Sequence, residues 1–126
     1  MKSELRTTEG AAPVGAYSQG LVVGDFVYTS GAGPLHADTG EIVGDDVAAQ
    51  THQTMRNLGA ILAAHGLGFD DVIKATVHLQ ELKRDFAAFN EVYQSYFSRP
   101  YPVRTTVGSD LMDILVEIDF VAHKSA

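Results

Sequence analysis

The feature that most constrains the fold is a repeated change in hydrophobic period along the chain. Residues 46–65 carry apolar side chains at spacings of three and four, and residues 85–97 do the same, which predicts two amphipathic helices. Short segments before, between and after them alternate apolar and polar residues, as half-buried strands do. The order strands, helix, strand, helix, strand, strand predicts an α+β fold with two helices on one face of one sheet.

Six segments have strand character, and two pairs of them are joined closely enough to suggest hairpins. Gly24 and Asp25 separate the second and third segments, and glycine at the first turn position fits a type II′ turn. The last two segments are joined by a short loop, residues 108–113, so we expect them to pair with each other. The predicted strands span residues 4–8, 21–23, 26–30, 72–80, 103–107 and 114–122.

Length and composition exclude several classes of function. A chain of 126 residues predicts one domain, residues 1–126. There is no cysteine, which excludes disulfides, thiolate nucleophiles and cysteine-type zinc sites, and the five histidines lack metal-motif spacing. The net charge is −7 and the nine Lys and Arg residues are scattered, which argues against nucleic-acid binding. No apolar run is long enough for a membrane span or a signal peptide, so we expect a cytoplasmic protein.

The stretch 101–108 contains the residue whose chemistry stands out. Prolines at 100 and 102 end the preceding segment, and Arg104 then lies among β-branched residues with no acid within five positions. A planar guanidinium pairs with a carboxylate through two parallel hydrogen bonds. Two interpretations remain open at this point. Arg104 either forms a structural ion pair with Asp119 of the last strand, or it holds a substrate carboxylate while Asp119 handles protons or water.

Seven motifs in order give the chain a resemblance to a known family. It resembles the RidA family of reactive-intermediate deaminases, also called the YjgF type, over nearly its whole length. The motifs are APVGAYSQG at 12–20, YTSG at 28–31, DTGE at 38–41, DVAAQT at 46–51, FNEVY at 89–93, PVRTTV at 102–107 and VEIDFVA at 116–122.

This resemblance implies a fold, an assembly and a reaction. The fold is a chorismate-mutase-like α+β fold, and the assembly is a homotrimer with three sites between subunits. The reaction is hydrolysis of 2-enamine and 2-imine acids, such as 2-aminoacrylate and 2-iminobutyrate, to 2-keto acids and ammonia. The expected partners are small carboxylate substrates, and no cofactor is expected.

The resemblance also implies roles for individual residues. Arg104 matches the arginine that binds the substrate carboxylate, and Tyr17 matches the tyrosine that lies over the site. Ser30 and Gly31 match the pair that lines the pocket, and Asn90 matches the helix asparagine. The expected catalytic residues are Arg104, Asp119 and Tyr17, and the expected substrate-binding residues are Arg104, Ser30, Gly31, Asn90 and Thr106.

Three departures from the family pattern bear on activity. Ala32 and Gly33 stand where glutamine and a bulkier residue are common, so we expect a roomier pocket there. Thr106 replaces a cysteine. The glutamate thought to position the water aligns with Asp119, which is shorter by one methylene, although the neighbouring Glu117 is able to compensate.

Two other functions stay open beside the deaminase. The first is a non-catalytic protein that binds small keto acids on the same fold. The second is an RNA-cleaving inhibitor of translation, an activity attributed to some relatives, and the acidic balance of the chain disfavours it.

Overall fold

The computed structural model describes residues 1–125 and contains one mixed sheet with two α-helices on one face. The strands pair in the order β1-β2-β3-β6-β4-β5. This arrangement confirms the predicted α+β class. The elements are β1 (Lys2–Leu5), β2 (Gly20–Val23), β3 (Phe26–Thr29), α1 (Val47–Ala63), β4 (Val72–Leu79), α2 (Leu82–Gln94), β5 (Val103–Gly108) and β6 (Val116–His123).

Helix α1 is stabilised at its start by a side-chain cap and packs through the predicted apolar stripe. Oδ1 of Asp46 accepts a hydrogen bond from the backbone N–H of Ala49 at 2.8 Å, as an N-cap residue should. Gly66, just past the end of the helix, has a φ of +71°, which glycine adopts without strain. The stripe that the spacing in residues 46–65 predicts is buried and includes Val47, Thr51, Met55, Leu58 and Leu62.

Helix α2 begins and ends three residues earlier than the predicted range of 85–97. The chain after Gln94 continues in tight turns, in which Tyr96 and Phe97 donate to carbonyls three residues back. Their aromatic side chains therefore extend the apolar pattern beyond the true helix. At the other end, Asp85 lies inside the first turn and is held by Arg84.

The N-terminal strands form the predicted hairpin, with one boundary displaced. Gly24 has a φ of +59°, and Asp25 is not in the positive region, which agrees with a type II′ turn. Strand β1 lies at residues 2–5 instead of 4–8, because the backbone of Thr7 is hydrogen-bonded to the side chain of Gln19. In β4 a register shift between Val72 and Lys74 leaves the side chain of Ile73 exposed.

The expected pairing of the last two strands is wrong. Strand β4 lies between them, parallel to β5 and antiparallel to β6. Gln80, directly after β4, contacts this connection: its side chain accepts from the N–H of Leu111, and its own backbone N–H donates to the carbonyl of Leu115. The connection therefore crosses the end of β4 and enters the sheet on its far side.

The two faces of the sheet differ in character. One face packs under the helices, where side chains such as Phe120, Ile118 and Val77 are fully buried. The other face has no covering element within residues 1–125, and it mixes polar residues with exposed Phe26, Tyr28 and other apolar side chains. In the described part of the chain, no helix has the length and apolar character needed to cross a bilayer.

Candidate functional site

Arg104 lies on the helix-facing side of β5, at the edge of the sheet. Its Nη1 donates a 2.8 Å hydrogen bond to Oδ1 of Asn90 on α2. Within residues 1–125, no carboxylate lies within 4.0 Å of the guanidinium, so the structural ion pair considered from the sequence is absent there. A half-buried cation with free N–H donors is left available to an anionic ligand.

Three aromatic rings of α2 surround the guanidinium. Its Cζ lies 4.8 Å from the ring centroid of Tyr93, 5.6 Å from that of Phe89 and 5.7 Å from that of Phe86. Such contacts stabilise a cation and fix the plane in which its donors point. We call the cavity beside it the arginine pocket, which has a volume of about 330 Å³ and is lined by Asn90, Tyr93, Gln94, Tyr101, Pro102 and Arg104.

Thr106 lies two residues beyond Arg104, on the same face of β5, as the alternation predicted. Its Oγ1 is buried and has no hydrogen-bond partner among the described residues. Thr106 does not line the arginine pocket, so within one chain the structure does not bring this predicted substrate-binding residue to the cavity.

Tyr17, Ser30 and Gly31 come together at a second place, where they line a small crevice of about 40 Å³. The Ser30 hydroxyl donates to the carbonyl of Ser18, so only its lone pairs are free for a ligand. The Tyr17 hydroxyl accepts from the N–H of Val14 at 3.1 Å, so its proton remains free to be donated. Ser30 therefore suits an N–H donor on the ligand, and Tyr17 suits an acceptor.

Glu117 does not line this crevice, but its carboxylate touches Gly31, which does. A β-carbon placed on Gly31 would lie 2.8 Å from Oε2 of Glu117, so the carboxylate rests directly against the glycine. We call Tyr17, Ser30, Gly31 and Glu117 the Glu117 cluster. The sequence singled out Asp119 instead, because an alternating strand presents both acids on one face and does not show which of them a loop approaches.

Asp119 lies further along the same open face, opposite Thr76 of β4. Burial raises the pKa of its carboxyl above the usual range, and the charges of His78 and Lys74 oppose this shift. The expectation that Arg104 and Asp119 share a sheet face is wrong. Arg104 is in register with Ala75 and Phe120 on the helix-facing side, whereas Asp119 is one residue out of that row.

The arginine pocket and the Glu117 cluster are also separate within one chain. Glu117 is in register with His78 and Val107 on the open face, and Arg104 points to the helices. Two strand spacings of about 4.8 Å separate β6 from β5. One chain therefore carries two halves of a candidate site that do not meet.

The expectation of a roomier pocket at Ala32 and Gly33 is not met. Ala32 bonds Ile118 through both backbone groups and packs against the core. At Gly33, the space of a β-carbon is occupied by Cδ1 of Ile114, 3.0 Å away. Isoleucine at 114 therefore fills the volume that the small residues leave.

Buried amides that the sequence analysis missed hold the two site loops together. Asn57 on α1 donates to the carbonyls of Gly33 and Leu35 and accepts from the N–H of Ala11. The Gln19 side chain donates to the carbonyl of Ala11, and its backbone carbonyl accepts from the N–H of Ser30. Helix α1 thus positions both loops of the Glu117 cluster. The sequence contains one signal of this role, because Asn57 is a polar residue on the stripe of α1 that is buried.

No group of three histidine, aspartate or glutamate side chains that suits a metal ion occurs within residues 1–125. The charged groups that the site offers to a ligand are therefore the Arg104 guanidinium in one half and the Glu117 carboxylate in the other.

Comparison with known proteins identifies the family of the chain. The family model described as Endoribonuclease L-PSP matches residues 7–124. A RutC family protein of Saccharolobus solfataricus is 42% identical over 99% of this chain and 100% of its own. Reactive Intermediate Deaminase A of Arabidopsis thaliana, a chloroplastic protein, is 38% identical over 97% of this chain and 66% of its own. The crystal structure of Escherichia coli TdcF with bound serine superposes with a TM-score of 0.91 at 37% identity, covering 98% of this chain and 99% of that one. The chain therefore belongs to the RidA (YjgF) family, whose family model is named after endoribonuclease L-PSP.

Proposed function

We propose that this protein hydrolyses small 2-imino and 2-enamine carboxylic acids, of the 2-iminobutyrate and 2-aminoacrylate type, to 2-keto acids and ammonia. The single observation that carries this proposal is the unpaired Arg104, which is half-buried, oriented by Asn90 and three aromatic rings, and without an anionic partner within residues 1–125. Relatives named reactive intermediate deaminases support the class of reaction.

Arg104 binds the substrate carboxylate in this account. One of its N–H groups is used by Asn90, and the remaining donors face the arginine pocket, where a carboxylate accepts two parallel hydrogen bonds. The serine bound to TdcF is likewise a small amino acid with a carboxylate.

Glu117 positions and deprotonates the attacking water. Water adds to the imine carbon, forming a carbon–oxygen bond, and the electrons of the C=N bond move to nitrogen, which takes a proton. The resulting carbinolamine loses ammonia as its hydroxyl proton leaves and the C=O bond forms. An enamine first takes a proton at carbon to become the imine. One positioned carboxylate typically contributes ~10²–10⁴-fold to such proton transfers.

Ser30 and Tyr17 have complementary hydrogen-bonding roles: Ser30 accepts and Tyr17 donates. The Ser30 oxygen accepts from the N–H of the imine or of the departing amine, since its own proton is bound to Ser18. The Tyr17 hydroxyl keeps its proton and donates it to an oxygen or nitrogen of the substrate. Asp119 was the sequence-based candidate for the water, and we now assign that role to Glu117, which rests against Gly31.

A complete site requires two copies of the chain. Arg104 and Asn90 belong to one copy, and Tyr17, Ser30 and Glu117 belong to its neighbour, because the two halves lie on opposite faces of a single sheet. The uncovered sheet face, with its exposed apolar side chains, supplies the surface on which copies associate. A closed homotrimer gives every arginine pocket one partner cluster and so three equal sites.

Two alternatives share the fold. A protein that only binds keto acids would keep Arg104 and need no acid, so the carboxylate against Gly31 favours catalysis. RNA cleavage is disfavoured by the net charge of −7. We expect the protein to act in the cytoplasm, on intermediates that amino-acid-degrading enzymes release.

The test is a coupled assay in which an amino-acid oxidase generates 2-iminobutyrate and semicarbazide traps the imine that escapes hydrolysis. The wild type should lower the trapped fraction, and Arg104→Ala should not. Arg104→Lys should recover little, since an ammonium lacks the planar fork. Arg56→Ala, which removes an exposed arginine on α1, is the matched control and should behave as wild type. Equal rates for Arg104→Ala and wild type would disprove the assignment of Arg104, and a wild type without acceleration would disprove the deaminase.

A further inference from the structure

The small crevice beside Tyr17, Ser30 and Gly31 has its rim at the surface and its floor in the core. Tyr17 is 44% exposed and Gly31 is exposed as well, so the rim is open to solvent. Ile61, which also lines the crevice, is 4% exposed and lies inside α1, so its branched side chain forms the floor. A small molecule bound at the candidate catalytic groups therefore has an apolar space directly beside it.

The two amide side chains that line the crevice have little hydrogen-bonding capacity left. Asn57 and Gln19 use all four of their N–H bonds on backbone carbonyls of nearby loops. The side-chain oxygen of Asn57 accepts two hydrogen bonds, and that of Gln19 accepts one. A buried water typically needs about three polar partners, which these side chains do not supply.

The rest of the lining is apolar in the same way. Besides the rim and the two amides, it consists of small or aliphatic residues: Ala11, Ala12, Ala32, Gly33, Leu35 and Ile61. The crevice therefore suits an apolar group better than it suits a water molecule.

The volume of the crevice limits the apolar group that it can hold. It measures about 40 Å³, whereas one water molecule in the liquid takes ~30 Å³ and a methyl group is of similar size. Cδ1 of Ile114 fills the neighbouring space at Gly33. The crevice therefore has room for roughly one or two carbon atoms if its walls do not move.

We infer that this crevice receives the side chain of the substrate and selects 2-imino acids whose side chain is methyl or ethyl. This role rests on the proposed function, in which the substrate nitrogen faces the Ser30 oxygen and Arg104 of a neighbouring copy holds the carboxylate. The reacting carbon has one further substituent, its side chain, and the crevice is the apolar space that Ser30 adjoins. Leu35 and Ala12, which line the crevice and take no part in the reaction, are then specificity-determining residues.

Two variants change the size of the crevice in opposite directions. Leu35→Ala enlarges it, and the matched control is Leu67→Ala, which removes another half-buried leucine that packs against the core elsewhere. Ala12→Leu narrows it from an exposed position, and the control is Ala63→Leu at the exposed end of α1. Titration calorimetry measures the Kd values for 2-oxobutanoate and 4-methyl-2-oxopentanoate, whose side chains are ethyl and isobutyl. A thermal melt of each variant reports its folding.

The expected result is a change in selectivity. The wild type should bind 4-methyl-2-oxopentanoate at least ~10-fold more weakly than 2-oxobutanoate, because a methylene that does not fit an apolar pocket typically costs that much. Leu35→Ala should lower this ratio of Kd values by roughly 5-fold or more, and Ala12→Leu should weaken 2-oxobutanoate binding by ~10-fold. Both controls should keep the wild-type Kd values.

Equal Kd values for the two keto acids in the wild type would overturn the inference. An unchanged ratio in a folded Leu35→Ala, or wild-type affinity for 2-oxobutanoate in Ala12→Leu, would do the same. If Leu35→Ala does not fold, the result for Ala12→Leu decides.

The outcomes for the crevice and for the deaminase are separable. A wild type that binds the keto acids with the expected selectivity but does not accelerate imine hydrolysis would support the crevice and disprove only the deaminase. A wild type that hydrolyses the ethyl and isobutyl imines equally well would disprove only the role of the crevice. A wild type that binds neither keto acid would overturn the inference together with the ligand on which it depends.

Discussion

Arg104 and Glu117 lie on opposite faces of the same sheet, two strands apart. Arg104 is in register with Ala75 and points to α2, whereas Glu117 is in register with His78 and faces the uncovered side. A carboxylate substrate held by one cannot reach the other in the same chain. The chemistry proposed for this protein therefore depends on how copies of the chain associate.

The contact between Gly31 and Glu117 gives a first prediction. In Gly31→Ala the new β-carbon would lie 2.8 Å from Oε2, so the carboxylate must move away. Catalytic groups displaced by ~1 Å lose up to about 10²-fold in rate. Imine hydrolysis in the coupled assay should fall by roughly 10-fold to 10²-fold, with little change in the melting temperature. Gly68→Ala, where a β-carbon meets open space, should leave both unchanged. Full activity in Gly31→Ala would show that the position of Glu117 is unimportant.

The two acids of β6 are distinguished by a second prediction. Glu117→Gln should lower the rate of imine hydrolysis by ~10²–10⁴-fold, because a positioned acid–base group is lost. The rate of imine hydrolysis in Asp119→Asn should remain within a few-fold of the wild-type rate, and the rate in Asp119→Glu should not exceed that of wild type. The measurement is the initial rate of 2-keto acid release for all three variants. A severe loss in Asp119→Asn with an active Glu117→Gln would restore the role that the sequence suggested for Asp119.

The carboxyl of Asp119 leads to a prediction on stability and pH. Its pKa is raised by burial, so the folded chain holds the proton more tightly than the unfolded chain. The stability that protonation provides is complete below the unfolded value of about 3.9 and is lost as the pH rises through the folded value. Asp119→Asn should therefore melt at or above the wild-type temperature at pH 7, with no such advantage at pH 3.

Thermal melts at both pH values check this, with Asp110→Asn at an exposed site as the control. The control should shift the melting temperature equally at pH 3 and pH 7. An Asp119→Asn variant that is destabilised only at neutral pH would mean that the carboxylate is paired in the native protein.

Patterns of local origin were predictable from the sequence. The turn at Gly24 and the apolar stripe of α1 follow from rules that act within a few residues. The face of β5 that carries Arg104 and Thr106 follows from alternation alone.

Features that depend on strand order were not predictable in the same way. In the fold, β4 lies between β5 and β6, and Gln80 at its end is hydrogen-bonded to Leu111 and Leu115 of the connection between them. Because the sequence does not reveal this strand order, β5 and β6 were expected to pair directly, which would have placed Arg104 beside Asp119. The contact of Glu117 with Gly31 joins residues far apart in sequence, and only the folded sheet brings them together.

The most direct test of the composite site mixes two inactive proteins. Arg104→Ala lacks the guanidinium of the arginine pocket and keeps the Glu117 cluster. Glu117→Gln lacks the carboxylate of the cluster and keeps the arginine pocket. After exchange of chains in an equal mixture of the two variants, roughly a quarter of the sites of the proposed homotrimer should combine two intact halves and recover activity. Each variant alone should stay inactive under the same exchange conditions. Recovery of about a quarter of the wild-type rate is the result we predict, and a mixture as inactive as its components would contradict a site shared between chains.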